Sequence, residues 1–95
     1  MYVRVVRFTD VAPDKIAALK ARIEESDGPP PGVNTTGLQV LLDQSAGTAV
    51  VLQHFATAED MESGARVLEA MDASETPGTR ASIDMCELAI DLQAP

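Results

Sequence analysis

The chain reads as one α+β domain of the ferredoxin-like kind, with the order β-α-β-β-α-β. Three observations predict this. Short β-rich stretches alternate with two amphipathic ones whose apolar residues recur at helical spacing. Two of the β-rich stretches are separated by only four residues, which favours a hairpin. The length, 95 residues, leaves room for one domain spanning 1–95. A local hairpin with right-handed crossovers gives an antiparallel sheet with both helices on one face.

The first strand is predicted over Tyr2–Phe8 (YVRVVRF), where β-branched residues dominate. Pro13 suits the first turn of a helix, and Asp14 beside it favours the positive end of the helix dipole. Ile16, Leu19 and Ile23 recur at three- and four-residue spacing, which predicts helix 1 over 13–25, ended by Ser26, Asp27 and Gly28. The segment 28–37 (GPPPGVNTTG) is a loop, because three consecutive prolines are excluded from a helix interior. It lacks PxxP spacing and reads as a stiff connector.

Leu38–Asp43 is the second strand, 44–47 a turn, and Thr48–Phe55 the third strand. Helix 2 is predicted over Ala58–Met71, with Met61, Ala65, Leu68 and Met71 on one face. Thr57 precedes it with Asp60 three residues on, a weak capping box. Residues 72–80 form a polar loop, and Ser82–Leu92 is the last strand. The stretch Thr48–Met71, a buried strand running straight into an amphipathic helix, is the segment around which the other elements are arranged.

Composition narrows the function classes. Hydrophobic residues make up 45% of the chain and aromatics only 3%, so the core is aliphatic. The net charge is −8 and uneven: residues 1–22 carry +3 and residues 23–95 carry −11. An acidic chain with three aromatics has neither the phosphate-binding charge nor the stacking platform of a nucleic-acid binder. No apolar run approaches a transmembrane length, and no signal peptide is visible, so a soluble cytoplasmic protein is expected. The single cysteine, Cys86, excludes an internal disulfide and reads as a small hydrophobe. No phosphate loop, nucleophile elbow or metal motif is present.

Pairing Asp43 with Thr48 puts Leu38, Val40, Leu42, Val51, Gln53 and Phe55 on one sheet face. Gln39, Leu41, Val50, Leu52 and His54 share the other. Both faces are largely apolar, and two helices cover only one. A face left open to water should be polar, so something must cover the second.

At this point the chain resembles a known group. The segments VRFTDVAPDK and VVLQHFATAEDM are similar to the strand-then-proline lead into helix 1 and to the junction of strand 3 and helix 2 in the dimeric α+β barrel superfamily. The resemblance is to its antibiotic-biosynthesis-monooxygenase-like (ABM-like) domains. It implies a homodimer in which two sheets face each other and enclose an apolar cavity for a small organic molecule. It implies cofactor-independent oxygenation or isomerisation, or, as the alternative, a non-catalytic binding or dimerisation module with a solidly packed barrel. Haem-degrading relatives use an Asn, a Trp and a His together. Here Trp is absent, the only Asn is in a loop, and the His is on strand 3, so neither haem nor another cofactor is expected.

The candidate site residues follow. His54 is the one side chain whose ordinary pKa suits proton transfer near neutrality; the alternative is a structural role at a sheet or dimer edge. Arg4 and Arg7 lie on opposite faces of strand 1, so at least one points inward, to hold an anionic or enolate-like ligand or to pair with Asp84 or Glu87. Tyr2 could donate a hydrogen bond into a pocket, and Phe55 takes the place of the family's aromatic. Asn34 and Arg80 could reach a cavity mouth from their loops.

Overall fold

The structure, a computed structural model, describes residues 1–26, 28–70 and 77–94. Alternation along Tyr2–Thr9 (β1) fixes which way each side chain points. Arg4, Val6 and Phe8 are buried, whereas Arg7 on the other face is exposed. The remaining elements are α1 (Pro13–Glu25), β2 (Gly37–Asp43), β3 (Thr48–Phe55), α2 (Ala58–Glu69) and β4 (Thr79–Glu87). They form one antiparallel sheet of order β2-β3-β1-β4, the ferredoxin-like arrangement.

The hairpin register is the expected one, with Asp43 opposite Thr48 and Val40 opposite Val51. Gly47 closes the turn at φ +67, a backbone conformation that glycine adopts without steric cost. Asp43 accepts from the Ser45 hydroxyl and the Ala46 N–H. These hydrogen bonds, the Ser45 hydroxyl first, hold its carboxyl below the ordinary value.

The helices cover the face bearing Arg4, Val6, Phe8, Val51 and Phe55. On that face the core falls into two clusters. Val6, Phe8, Ala49 and Val51 pack with Val11, Ile16 and Ile83. Val33, Phe55 and Met61 pack with Tyr2, Val67 and Leu68. Helix α2 is the closely docked one, with Met61, Gly64 and Ala65 buried. Its Thr57 side chain accepts from the Asp60 N–H at 3.1 Å, so half of the anticipated capping box is present. Helix α1 has no buried residue; Ile16 and Leu19 are half-buried and Ile23 is exposed. Its apolar stripe faces the sheet without closing on it.

Four elements differ in extent from the sequence expectation, β1 by a single residue, since it runs on to Thr9. Strand β4 occupies Thr79–Glu87 instead of Ser82–Leu92, because it can pair only where β1 runs. Glu87 is opposite Tyr2, where β1 begins, and Thr79 is opposite Thr9, with a bulge between Arg7 and Phe8. Leu88, Ile90 and Leu92 lie beyond the sheet with exposed side chains. Strand β2 begins one residue early, at Gly37. Helix α2 ends at Glu69 with Ala70 as its cap, and Met71 lies outside the described residues, as do Asp27 and the first part of the 72–80 loop.

Gly64 sets the approach of α2 to the sheet. A Cβ there would stand 2.8 Å from Phe55 Cε1 and 3.5 Å from Val33 Cγ1. Phe55 is fully buried and has nowhere to move. Gly64→Ala is therefore expected to lower Tm. Overpacking costs about 1–3 kcal/mol and outweighs the gain of up to ~1 kcal/mol in helix propensity. An unchanged or raised melting temperature would contradict this packing.

Candidate functional site

The space that α1 leaves open is the principal cleft among the described residues. It measures about 940 Å³, lies between the sheet and the helices of a single chain, and is partly open to solvent. Its floor is the helix-side face of β1, β2 and β3: Arg4, Val6, Phe8, Leu38, Val40 and Val51. Leu19 and Ile23 of α1 and Leu68 of α2 form the walls. Pro29, Pro30 and Pro31 form part of the rim, and Pro77–Arg80 line the end where β4 begins. The lining is predominantly apolar, and its size falls in the range of small-molecule pockets.

The loop prolines reach the rim because their downstream residues are pinned. Val33 is part of the core, and its N–H bonds to the Pro30 carbonyl at 3.1 Å. Thr36 N–H and the Thr35 hydroxyl both donate to the His54 carbonyl, at 2.8 and 2.6 Å.

Arg4 is the polar centre of the cleft. It is 3% exposed, opposite Gln53 in the β1–β3 register, and its Nη1 donates to Gln53 Oε1 at 2.8 Å. Nη2 stands 3.9 Å from Glu69 Oε1, an ion-pair separation too long for a hydrogen bond. Nε is buried with no hydrogen-bond partner. Desolvation pushes the Arg4 pKa down; the Glu69 carboxylate opposes this, and nearby Arg80 adds to it. An arginine starts so far above neutrality that the guanidinium stays charged. Such a group binds an oxygen anion or polarises a carbonyl, and does not exchange protons near pH 7.

The structure separates the residues singled out in the sequence. Arg4 and Arg80 both line the cleft. His54 lies on the opposite sheet face, half-buried, with its Nε2 3.0 Å from Gln39 Oε1. Arg7 is on that same far face, opposite Val50 and Ser82. Phe55 is 0% exposed inside the second core cluster, and Tyr2 packs against that cluster. The Asn34 amide donates to Asp60 Oδ2 at 3.1 Å near the start of α2. Arg4 pairs with Glu69 of α2, not with the strand-4 carboxylates. Met85, not Asp84 or Glu87, stands opposite Arg4.

The cleft of the single chain opens on the helix side of the sheet, whereas the cavity between two facing sheets that the resemblance implies would lie on the bare side. Gln53, Glu69, Arg22 and the three prolines were not anticipated as lining. Gln53 was within reach, because the register that pairs Asp43 with Thr48 already puts it on the face of Leu38 and Val40. Glu69 was not, since it depends on how α2 lies over β1.

Comparison with protein families finds no match, and comparison with curated proteins finds none. Among solved structures the fold is similar to a crystal structure of an arginine-to-serine variant of MhuD with two manganese protoporphyrin IX bound per active site. The identity is 15%, the TM-score is 0.61, and the match covers 99% of this chain and 100% of that one. This likeness concerns the fold.

The residues of this cleft do not suit a metalloporphyrin. The chain's only His, Tyr and Cys are His54, Tyr2 and Cys86. His54 and Cys86 lie on the far sheet face, and Tyr2 is not part of the described lining. The usual axial donors are thus missing from it. Titration with haemin is expected to give no Soret band of protein-ligated iron. A stoichiometric shift that survives replacement of His54, Tyr2 and Cys86 would show that this reading of the cleft is wrong.

Proposed function

We propose that this protein binds a small, largely apolar organic molecule in the cleft between its helices and its sheet. The observation that carries this is the cleft itself: about 940 Å³, walled by aliphatic side chains and prolines, with one buried arginine on its floor. A protein whose interior is meant to be solid would bring α1 down onto Val6, Val40 and Val51. Empty apolar volume of that size forfeits packing stabilisation, and occupancy by a ligand restores it.

The chemistry that suits such a cleft is cofactor-independent oxygenation or isomerisation. Both ask for an apolar, water-poor space and a cation that stabilises an enolate-like oxygen as charge develops on it. Arg4 is placed for that role, with Arg80 at the rim. His54 and Arg7 belong to the other face, so neither is assigned a part in the chemistry. The probe for the cleft is the neutral fluorophore N-phenyl-1-naphthylamine. It is expected to bind with a blue-shifted emission and to raise Tm. Val40→Trp, on a half-open edge of the floor, is expected to abolish binding while leaving Tm within a few degrees. Undiminished binding in that variant would remove the cleft from consideration.

The same proposal makes the protein a homodimer through the bare sheet face. Val3, Val5, Val50 and Leu52 are half-buried there, and Leu41 is 54% exposed. A face so apolar is an interface in a well-behaved protein. It is expected to bury at least about 1,200 Å² in total. Light scattering at micromolar concentration should report a dimer, and Leu41→Glu should shift it toward monomer without unfolding it. A wild-type monomer would refute the assignment.

A further inference from the structure

We infer that the ligand of this cleft is an amphipathic organic anion, whose acid group docks on the side edge of the Arg4 guanidinium in place of the Glu69 carboxylate. The inference rests on the cleft being a ligand site and goes on to name what enters it.

Charge segregation is the first support. The chain has seven basic and fifteen acidic residues. Among the described lining residues the acidic excess is gone: Arg4 and Arg80 stand with Glu69. A cavity meant for a neutral hydrocarbon gains nothing from two neighbouring cations, and a cavity meant for a cation would not have them. Low-dielectric walls strengthen the field of those charges within the cleft.

The second support is the state of Arg4. Nη1 is committed to Gln53. The other edge of the guanidinium, formed by Nε and Nη2, is the one that takes a carboxylate or sulfonate through two parallel hydrogen bonds. On that edge Nε has no partner although it is buried, and Nη2 has Glu69 only at 3.9 Å. A buried donor left unmade is costly, so its retention calls for an explanation. Glu69 is half exposed at the last turn of α2, free to swing outward. A ligand acid that displaced it would meet both N–H groups, while its apolar body would lie along Val6, Val40 and Leu19.

Arg80 gives the site its second cation. It is close enough to Arg4 to depress the latter's pKa. The Glu69 carboxylate, half exposed, offsets this repulsion only in part, and an entering anion on the guanidinium edge would face both cations.

The test uses two fluorophores with the same ring system, 8-anilinonaphthalene-1-sulfonate and neutral N-phenyl-1-naphthylamine, at 0.15 M salt. The sulfonate is expected to bind at least about tenfold more tightly, against the net charge of the protein. Arg4→Met should bring the sulfonate down to the neutral probe's affinity and leave the neutral probe unchanged, which also shows that the variant is folded. Arg4→Lys should lose most of the preference, because an ammonium lacks the fork. Glu69→Gln should tighten sulfonate binding severalfold, and Arg80→Gln should weaken it severalfold. These two exposed positions keep the test decisive if Arg4 variants do not fold. Equal affinities, or a sulfonate preference that survives Arg4→Met, would overturn the inference while neutral-probe binding upholds the cleft. Failure of both probes to bind, or no effect of Val40→Trp on either, would overturn both readings.

Discussion

A charged group stands in the middle of the buried face of the sheet. The Arg4–Gln53 cross-strand pair separates the two apolar clusters, with Val6, Phe8, Ala49 and Val51 on one side and Phe55, Met61 and Val33 on the other. Burying a guanidinium costs several kcal/mol unless its donors are met, and here the protein meets only part of them. A continuous hydrophobic floor at this position would let α1 settle onto the strands. With Arg4 there, the region between α1 and the sheet stays open, and the helix keeps its apolar stripe for the cleft. The cleft and the partly met guanidinium thus occupy the same part of the helix-side face.

Much of this fold is legible in the sequence because its signals are local. Pro13 marks the start of α1, Thr57 caps α2, and the four-residue turn sets the register of the hairpin. Face assignment follows from that register, so Arg4 and Arg7 could be sent to opposite sides without a structure. What local signals do not carry is how far an element extends when its partner stops. The apolar run continuing through Leu88, Ile90 and Leu92 reads as strand, yet the ladder with β1 ends at Tyr2 and Glu87, followed by one hydrogen bond from the Leu88 N–H to the Met1 carbonyl. Strand length is a property of the pair, and the periodicity of one stretch sees only half of it.

The side of the sheet that holds the cleft was illegible for a related reason. Ile16, Leu19 and Ile23 have the spacing of a core-facing stripe, and spacing alone does not distinguish a stripe that closes on the sheet along its length from one that packs on the core at Ile16 and stands off beyond it. The difference lies in what the stripe faces. Opposite it are Arg4, Gln53 and the edge-strand residues Leu38 and Val40, a surface too polar at its centre and too far out at its edge to be sealed by one helix. The prolines complete the arrangement. Held by Val33 and by the Thr35 and Thr36 hydrogen bonds to His54, they form a rim that would lose little entropy on binding the proposed ligand.

The two faces of the sheet therefore divide the work. Residues at odd positions of β1 (Val3, Val5 and Arg7) point to the bare face with Val50, Leu52 and His54. Residues at even positions point to the helix side, where Arg4, Val6 and Phe8 line the cleft. Because residues alternate along the β1–β3 ladder, a change on one face is separated from the other by a single layer of backbone. Yet β1 and β3, the central strands, serve both. His54 shows the coupling most directly. Its side chain bonds Gln39 on the bare face, while its carbonyl holds the threonines that anchor the proline rim of the cleft. A contact made across the bare face thus bears on the same strand end that positions the rim. In the proposed dimer, the backbone of β3 would link the covered face to the cleft.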